Sequence, residues 1–79
     1  MNSETLDAWW ASLTMFQKER IASKAVSKSE GKEVRISYPA CTEWWVSTSP
    51  EVKQRVYEHC TDKHGLLLEE WREGKTYSY

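Results

Sequence analysis

A chain of 79 residues has room for one domain, and at that size folding removes only about 60% of the unfolded surface from water, so every large side chain bears on stability. Five Trp, four Tyr and one Phe supply the area that a core needs, at about 150–250 Å² for each Trp or Tyr, which excludes a disordered tail. Eleven Lys+Arg against twelve Asp+Glu leave a formal net charge of −1, which excludes a whole-molecule field that would draw the chain onto nucleic acid or an anionic membrane.

Leu6, Trp9/Trp10 and Leu13 fall at i, i+3/i+4 and i+7 and predict a short first helix. Thr14-Met15-Phe16-Gln17 fits a capping box and opens a second helix reaching about Lys28. Its apolar stripe is Met15, Ile21, Ala22, Ala25 and Val26. Arg20, Lys24 and Lys28 stand outward at i, i+4 and i+8, and Gly31 ends the helix. Glu33 to Tyr38 then alternates polar with apolar or aromatic residues, a strand pattern that Pro39 stops.

Trp44-Trp45 opens the next helical stretch. Ser49 caps its longer helix, Pro50 takes the first helical position and Glu51 complements the positive end. Val56, Tyr57 and Cys60 form the inward stripe, Arg55, His59 and Lys63 the outward one, and Gly65 is the expected stop. Leu66 to Trp71 reads either as a turn or two of helix or as a strand returning into residues 75–79 that would pair with 33–38.

Residues 9–28 recur without a gap at 44–63. Six of the twenty aligned positions are identical, Trp9/Trp44, Trp10/Trp45, Ser12/Ser47, Lys18/Lys53, Arg20/Arg55 and Lys28/Lys63, where unrelated segments share about one. The expected fold is therefore mainly α: one domain over residues 1–79, in which two pseudo-repeated helix-corner-helix hairpins pack around a Trp-rich core, with a short β element near 33–38 and 75–79. Lys18 and Lys53 fall inside the apolar stripes, where their stems can cross a Trp face and hold the ammonium over the ring.

Cys41, His59, Cys60 and His64 are the soft metal ligands on offer, with Cys60 and His64 spaced i, i+4. The repeat aligns Cys41 with Leu6 and Cys60 with Ala25, so the thiols read as small buried hydrophobes, and neither a metal, a cofactor nor a Cys41–Cys60 disulfide is expected. No strand-turn-helix elbow or Gly-rich phosphate loop is present, and the adjacent Glu69 and Glu70 diverge, which points away from an enzyme.

Adjacent helical residues point about 100° apart, so one Trp of each pair is expected to face outward. The leading functional expectation is a non-enzymatic interaction or adaptor module that binds a protein partner, or a second copy of itself, through Trp10, Trp45, Trp71, Tyr77 and Tyr79. The alternative is a helix-turn-helix-like nucleic-acid binder that uses Arg20, Lys24, Lys28, Arg55, His59 and Lys63. No apolar run approaches the ~20 residues of a membrane span, and no charged and apolar leader follows Met1, so no membrane partner and a cytoplasmic location are expected.

Overall fold

Each long helix begins where the sequence offers a cap. The computed structural model describes residues 1–72, and over them the chain is mainly helical: α1 (Ser3–Ala11), α2 (Met15–Glu30), α3 (Ala40–Ser47), α4 (Pro50–Cys60) and α5 (Glu69–Arg72). At the start of α2 the capping box is complete, with Gln17 N–H donating to Thr14 Oγ1 at 3.1 Å and Thr14 N–H donating to Gln17 Oε1 at 2.9 Å. Ser49 caps α4 and Pro50 is its first residue. Gly31 closes α2 in the left-handed region at φ 71°, which a residue with a Cβ adopts only with strain. The corners are short, Ser12 to Thr14 in the first hairpin and Thr48 to Ser49 in the second.

The core is Leu6, Trp10, Leu13, Ile21, Ala22, Cys41, Trp45, Val56, Cys60 and Trp71. Its centre is a stacked pair of indoles, Trp10 and Trp45, with ring centroids 4.6 Å apart and planes within 4°. Trp9 lies 6.0 Å from Trp45 at 56°, and Trp44 lies 6.0 Å from Trp10 at 58°. An offset of 35 residues interchanges these two cross-pairs, and their geometries agree. At about 25 cal/mol per Å² and about 150–250 Å² per ring, each buried indole contributes roughly 4–6 kcal/mol of transfer free energy, which is what makes a small core sufficient. Around this centre α2 packs on α3 and α1 on α4.

The strand expected at 33–38 does not form. The segment is extended, but its partner is a helix. Ser27 Oγ accepts from Val34 N–H at 2.7 Å and donates to Val34 O at 3.0 Å, while Ser23 Oγ accepts from Ile36 N–H at 2.8 Å and donates to Ile36 O at 3.3 Å. Glu19 Oε2 then accepts from Tyr38 N–H at 2.7 Å. Four residues of helix rise about 6.0 Å and two residues of strand about 6.6 Å, so Glu19, Ser23 and Ser27 keep step with alternate residues of the segment and satisfy its inner edge. The alternation that reads as a strand is the register of this ladder. The residues 75–79 proposed as its partner lie outside the described residues.

The helix that opens at Ser49-Pro50 also stops early. It ends at Cys60, and Lys63 and His64 lie on a turn rather than on its outer face. Thr61 turns extended, at φ −124° and ψ 158°, with Oγ1 donating back to Tyr57 O at 2.7 Å. Asp62 then holds the turn, its Oδ1 accepting from His64 N–H at 2.8 Å and Leu66 N–H at 3.0 Å, while its own N–H donates to Leu66 O. Those backbone bonds lower the Asp62 pKa from its ordinary value, Leu66 contributing most. Gly65, at φ 78°, is the left-handed residue of this turn. A single antiparallel bridge pairs Thr61 with Leu67 before α5 begins.

Candidate binding groove between α2 and α4

In both long helices a pair of apolar residues spaced i, i+4 is followed three positions later by a pair of basic residues. On α2 these are Ile21 and Ala25, then Lys24 and Lys28; on α4 they are Val52 and Val56, then Arg55 and His59. Three residues of helix advance the direction by about 300°, so each cationic row stands about 60° round from its apolar row. Where α2 and α4 pack side by side, the two apolar rows make the floor and the cations stand over it.

The result is a groove of about 530 Å³ lined by all eight of these residues together with Ser29, Cys60, Glu70 and Trp71. The last two come from α5, which docks on α2 where Arg20 Nη2 donates to Glu70 O at 2.8 Å, while Leu68 N–H, just before α5, donates to Cys60 O at the end of α4 at 2.9 Å. Lys28, Arg55 and His59 are exposed, and none has a carboxylate within ion-pair distance among the described residues. Glu70 is the one carboxylate in the lining. Cys60 is buried in the floor, and that burial, reinforced by Glu70, pushes its thiol up to about 12. It therefore stays protonated at neutral pH and is not a nucleophile despite the neighbouring His59.

Of the six cations proposed for nucleic acid, the structure brings Lys24, Lys28, Arg55 and His59 to this groove and leaves out two. Arg20, expected to face outward, is 9% exposed. Its guanidinium lies 5.2 Å from the Phe16 ring centroid and 5.6 Å from that of Trp71, and it is bonded to Glu70 O. The docking of α5 on α2 covers it. Lys63 is exposed on the turn beyond α4.

The aromatic surface expected from the sequence is corrected in the same way. Trp10, Trp45 and Trp71 are 4%, 2% and 6% exposed, so all three belong to the core. Trp10 and Trp45 cover each other, and Trp71 is turned inward on α5 under Arg20. The outer member of each pair, Trp9 or Trp44, is half-buried and packs against the core, Trp9 edge-on to Tyr57 at 5.1 Å. Tyr77 and Tyr79 lie outside the described residues. Met15, placed on the inward stripe of α2, is the first residue of that helix and is 54% exposed.

Lys53 does cross a Trp face, with Nζ 5.2 Å from the Trp45 centroid, and it also reaches Asp7 Oδ1 at 3.0 Å, an acceptor shared with Trp45 Nε1 at 2.9 Å. This junction ties α1 to α3 and α4. Cys41 and Cys60 are free thiols, and no three of His, Cys, Asp and Glu converge on a metal position among the described residues. No described helix is long and apolar enough to cross a membrane. Comparison with protein-family models, curated proteins and solved structures finds no match.

The sequence lacked any statement that α2 and α4 face each other, and without it the two basic rows read as separate outer stripes. The signal that could have found the groove is the shared three-residue offset between apolar pair and cation pair on the two helices.

Proposed function

We propose that this protein is a non-enzymatic interaction module that binds a protein partner in the groove between α2 and α4. The observation that carries the reading is a groove whose apolar floor, half-buried Ala25 and Val52 beside the buried Ile21 and Val56, lies between basic side chains supplied by two different helices. Apolar surface framed by charge is the composition of a recognition site, with floor burial giving affinity and the frame giving orientation. It replaces the Trp surface as the binding face, since the indoles are committed to the core.

Nucleic-acid binding has less support. A duplex needs phosphate contacts along a convex face, whereas these cations frame a concavity with an apolar floor, Arg20 is engaged beneath α5 and Lys63 stands apart. The test is selection of binders from a library of helical peptides against the full chain, followed by methyl NMR. Selected peptides are expected to shift the Ile21, Val52 and Val56 resonances. Binders that leave these methyls unmoved, or duplex DNA that moves Lys28 and Arg55 at low salt while no peptide does, would remove the groove from consideration as a protein site.

A further inference from the structure

We infer that the occupant of this groove is an acidic amphipathic helix of a partner protein, lying along α2 and α4 with its apolar stripe on the floor and carboxylates on both flanks. The inference rests on the protein-binding reading above and specifies the partner.

The floor decides that the occupant is a helix. Ile21, Ala25, Val52 and Val56 offer no hydrogen-bonding atoms from their side chains, and the backbone groups of α2 and α4 are consumed within those helices. An extended peptide laid there would press unpaired N–H and C=O groups onto apolar surface, whereas a helix satisfies its own backbone and presents side chains alone. The size fits as well. The 11 residues of α4 span about 16 Å at 1.5 Å per residue, the length of three helical turns. Ala25 on the floor permits a close approach by a third helix, and the i, i+4 rows of floor side chains are ridges that a partner's own rows can enter.

The walls decide that it is acidic. Positive charge stands on both sides, from Lys24 and Lys28 on one and Arg55 on the other, against a single carboxylate in the lining, Glu70, so a helix on the floor has its two flanks against positive charge, as the flanking positions of a coiled-coil seam do. Lys28 and Arg55 have no ion pair among the described residues, so a partner's carboxylates would not have to displace one. A second copy of this chain is a poor fit among the described residues, because α2 and α4 carry the basic rows themselves and the apolar faces of α1 and α3, Leu6, Trp10, Cys41 and Trp45, are buried in its own core. An anionic membrane is a poor fit, since the floor is recessed between two helices where acyl chains do not reach without the walls entering first.

The test uses the full-length chain and three synthetic helices of about 14 residues, enough for three to four turns. All carry Leu at i, i+3, i+4 and i+7, with Glu, Gln or Lys on both flanks. The Glu peptide is expected to bind about tenfold more tightly than the Gln peptide at low salt, about 1.4 kcal/mol, to lose most of that advantage in high salt, and to shift the Ile21, Val52 and Val56 methyls. Lys28→Glu combined with Arg55→Glu changes exposed residues only and should invert the order so that the Lys peptide binds best; Lys63→Glu, outside the groove, should change nothing. Equal binding of the Glu and Gln peptides at the groove methyls overturns the acidic partner while leaving the protein-binding reading intact. Binding to vesicles of anionic lipid in preference to every peptide overturns the inference in favour of a membrane. If no peptide moves the groove methyls, the inference and the reading beneath it fall together.

Discussion

The hairpin α1–α2 and the hairpin α3–α4 carry the same Trp-Trp pair and the same capped entry into their second helix, yet they treat matched residues differently. Arg20 is buried and bonded to Glu70 O, while Arg55, 35 positions later, stands exposed on the groove wall. Trp45 Nε1 has the Asp7 carboxylate to donate to, while Trp10 Nε1 is buried with no acceptor among the described residues. α2 runs sixteen residues to a glycine cap and α4 eleven to a threonine turn. Local sequence sets where helices start and which face is apolar; what covers the other face is set by elements outside the hairpin. α5 and the extended 33–37 segment both lean on α2, and that asymmetry turns one matched Arg into a clamp and leaves the other for binding.

The comparison is most sharply tested at the stacked rings, where the hairpins agree. Trp10→Ala and Trp45→Ala each remove one face of the stack and leave a cavity, and each is expected to cost about 3–5 kcal/mol, enough to unfold much of a domain whose total stability is of order 5–15 kcal/mol. Urea denaturation followed by circular dichroism measures both. Trp45→Ala should be the worse of the two because it also strips Asp7 and Lys53 of the indole between them. A large loss at one ring and a trivial loss at the other would show that the two rings do not share one core.

Next in size is the matched arginine pair. Arg20→Ala deletes a charged donor to a backbone carbonyl and its cover over Trp71, and about 1.5–3 kcal/mol is expected for a hydrogen bond to a charged group. Arg55→Ala should stay within about 0.5 kcal/mol, as exposed substitutions do. Thermal melts of the two variants give the difference, and Trp71 fluorescence should redden in the first only. Equal losses would place α5 elsewhere than on α2.

How much of this was legible is uneven for physical reasons. The capping box at Thr14, the Ser49-Pro50 entry and, apart from the exposed Met15, the apolar rows of α1, α2 and α4 follow from rules that act within one turn of helix, and the sequence carries them. The burial of Arg20 and the orientation of the rings depend on contacts 50 and 35 residues apart, and a side chain's own neighbours do not encode them. The 33–37 segment shows the middle case. Its alternation is real, but the strand pattern records only that alternate backbone groups need partners, and Ser23 and Ser27 on a helix met that need as well as another strand could. The groove was half legible: its rows are in the sequence and their meeting is not.

Asp7 gives a smaller effect with a defined pH signature. Its carboxyl is held below the ordinary value of 3.8, chiefly by the bond from Lys53 and then by that from Trp45. A group that titrates lower in the folded than in the unfolded state contributes stability that is fully present above its unfolded pKa and is lost as pH falls through its folded one, so the acid limb below about pH 5 carries this contribution. Asp7→Thr, which copies the residue at the matched position 42, should lower the melting temperature by several degrees at pH 7 and less at pH 3, flattening that limb. Asp62, held low by the Leu66 and His64 amides, keeps its own share of the limb in this variant. A melting temperature that falls equally at both pH values would mean that Lys53 finds no use for the carboxylate.

The smallest expected effect is a gain, and it puts the correspondence between hairpins to its most demanding use. An offset of 35 carries Asp7 to Thr42, Lys53 to Lys18 and Trp45 to Trp10, whose buried N–H lacks an acceptor among the described residues. Thr42→Asp should supply that acceptor and rebuild the junction on the other side of the stack, raising stability by about 0.5–1.5 kcal/mol, the net worth of a hydrogen bond. Residue 42 is also in the first turn of α3, where any carboxylate gains about 0.3–1 kcal/mol from the helix dipole alone. The two sources separate in a double-mutant cycle with Lys18→Met, because the dipole contribution survives loss of the lysine and the junction does not. A gain that vanishes with Lys18 means the junction of Asp7 with Lys53 and Trp45 can be rebuilt with the two hairpins exchanged, so the backbones correspond beyond their rings. A gain indifferent to Lys18 assigns the whole effect to the dipole and confines the likeness of the hairpins to the indoles at their centre.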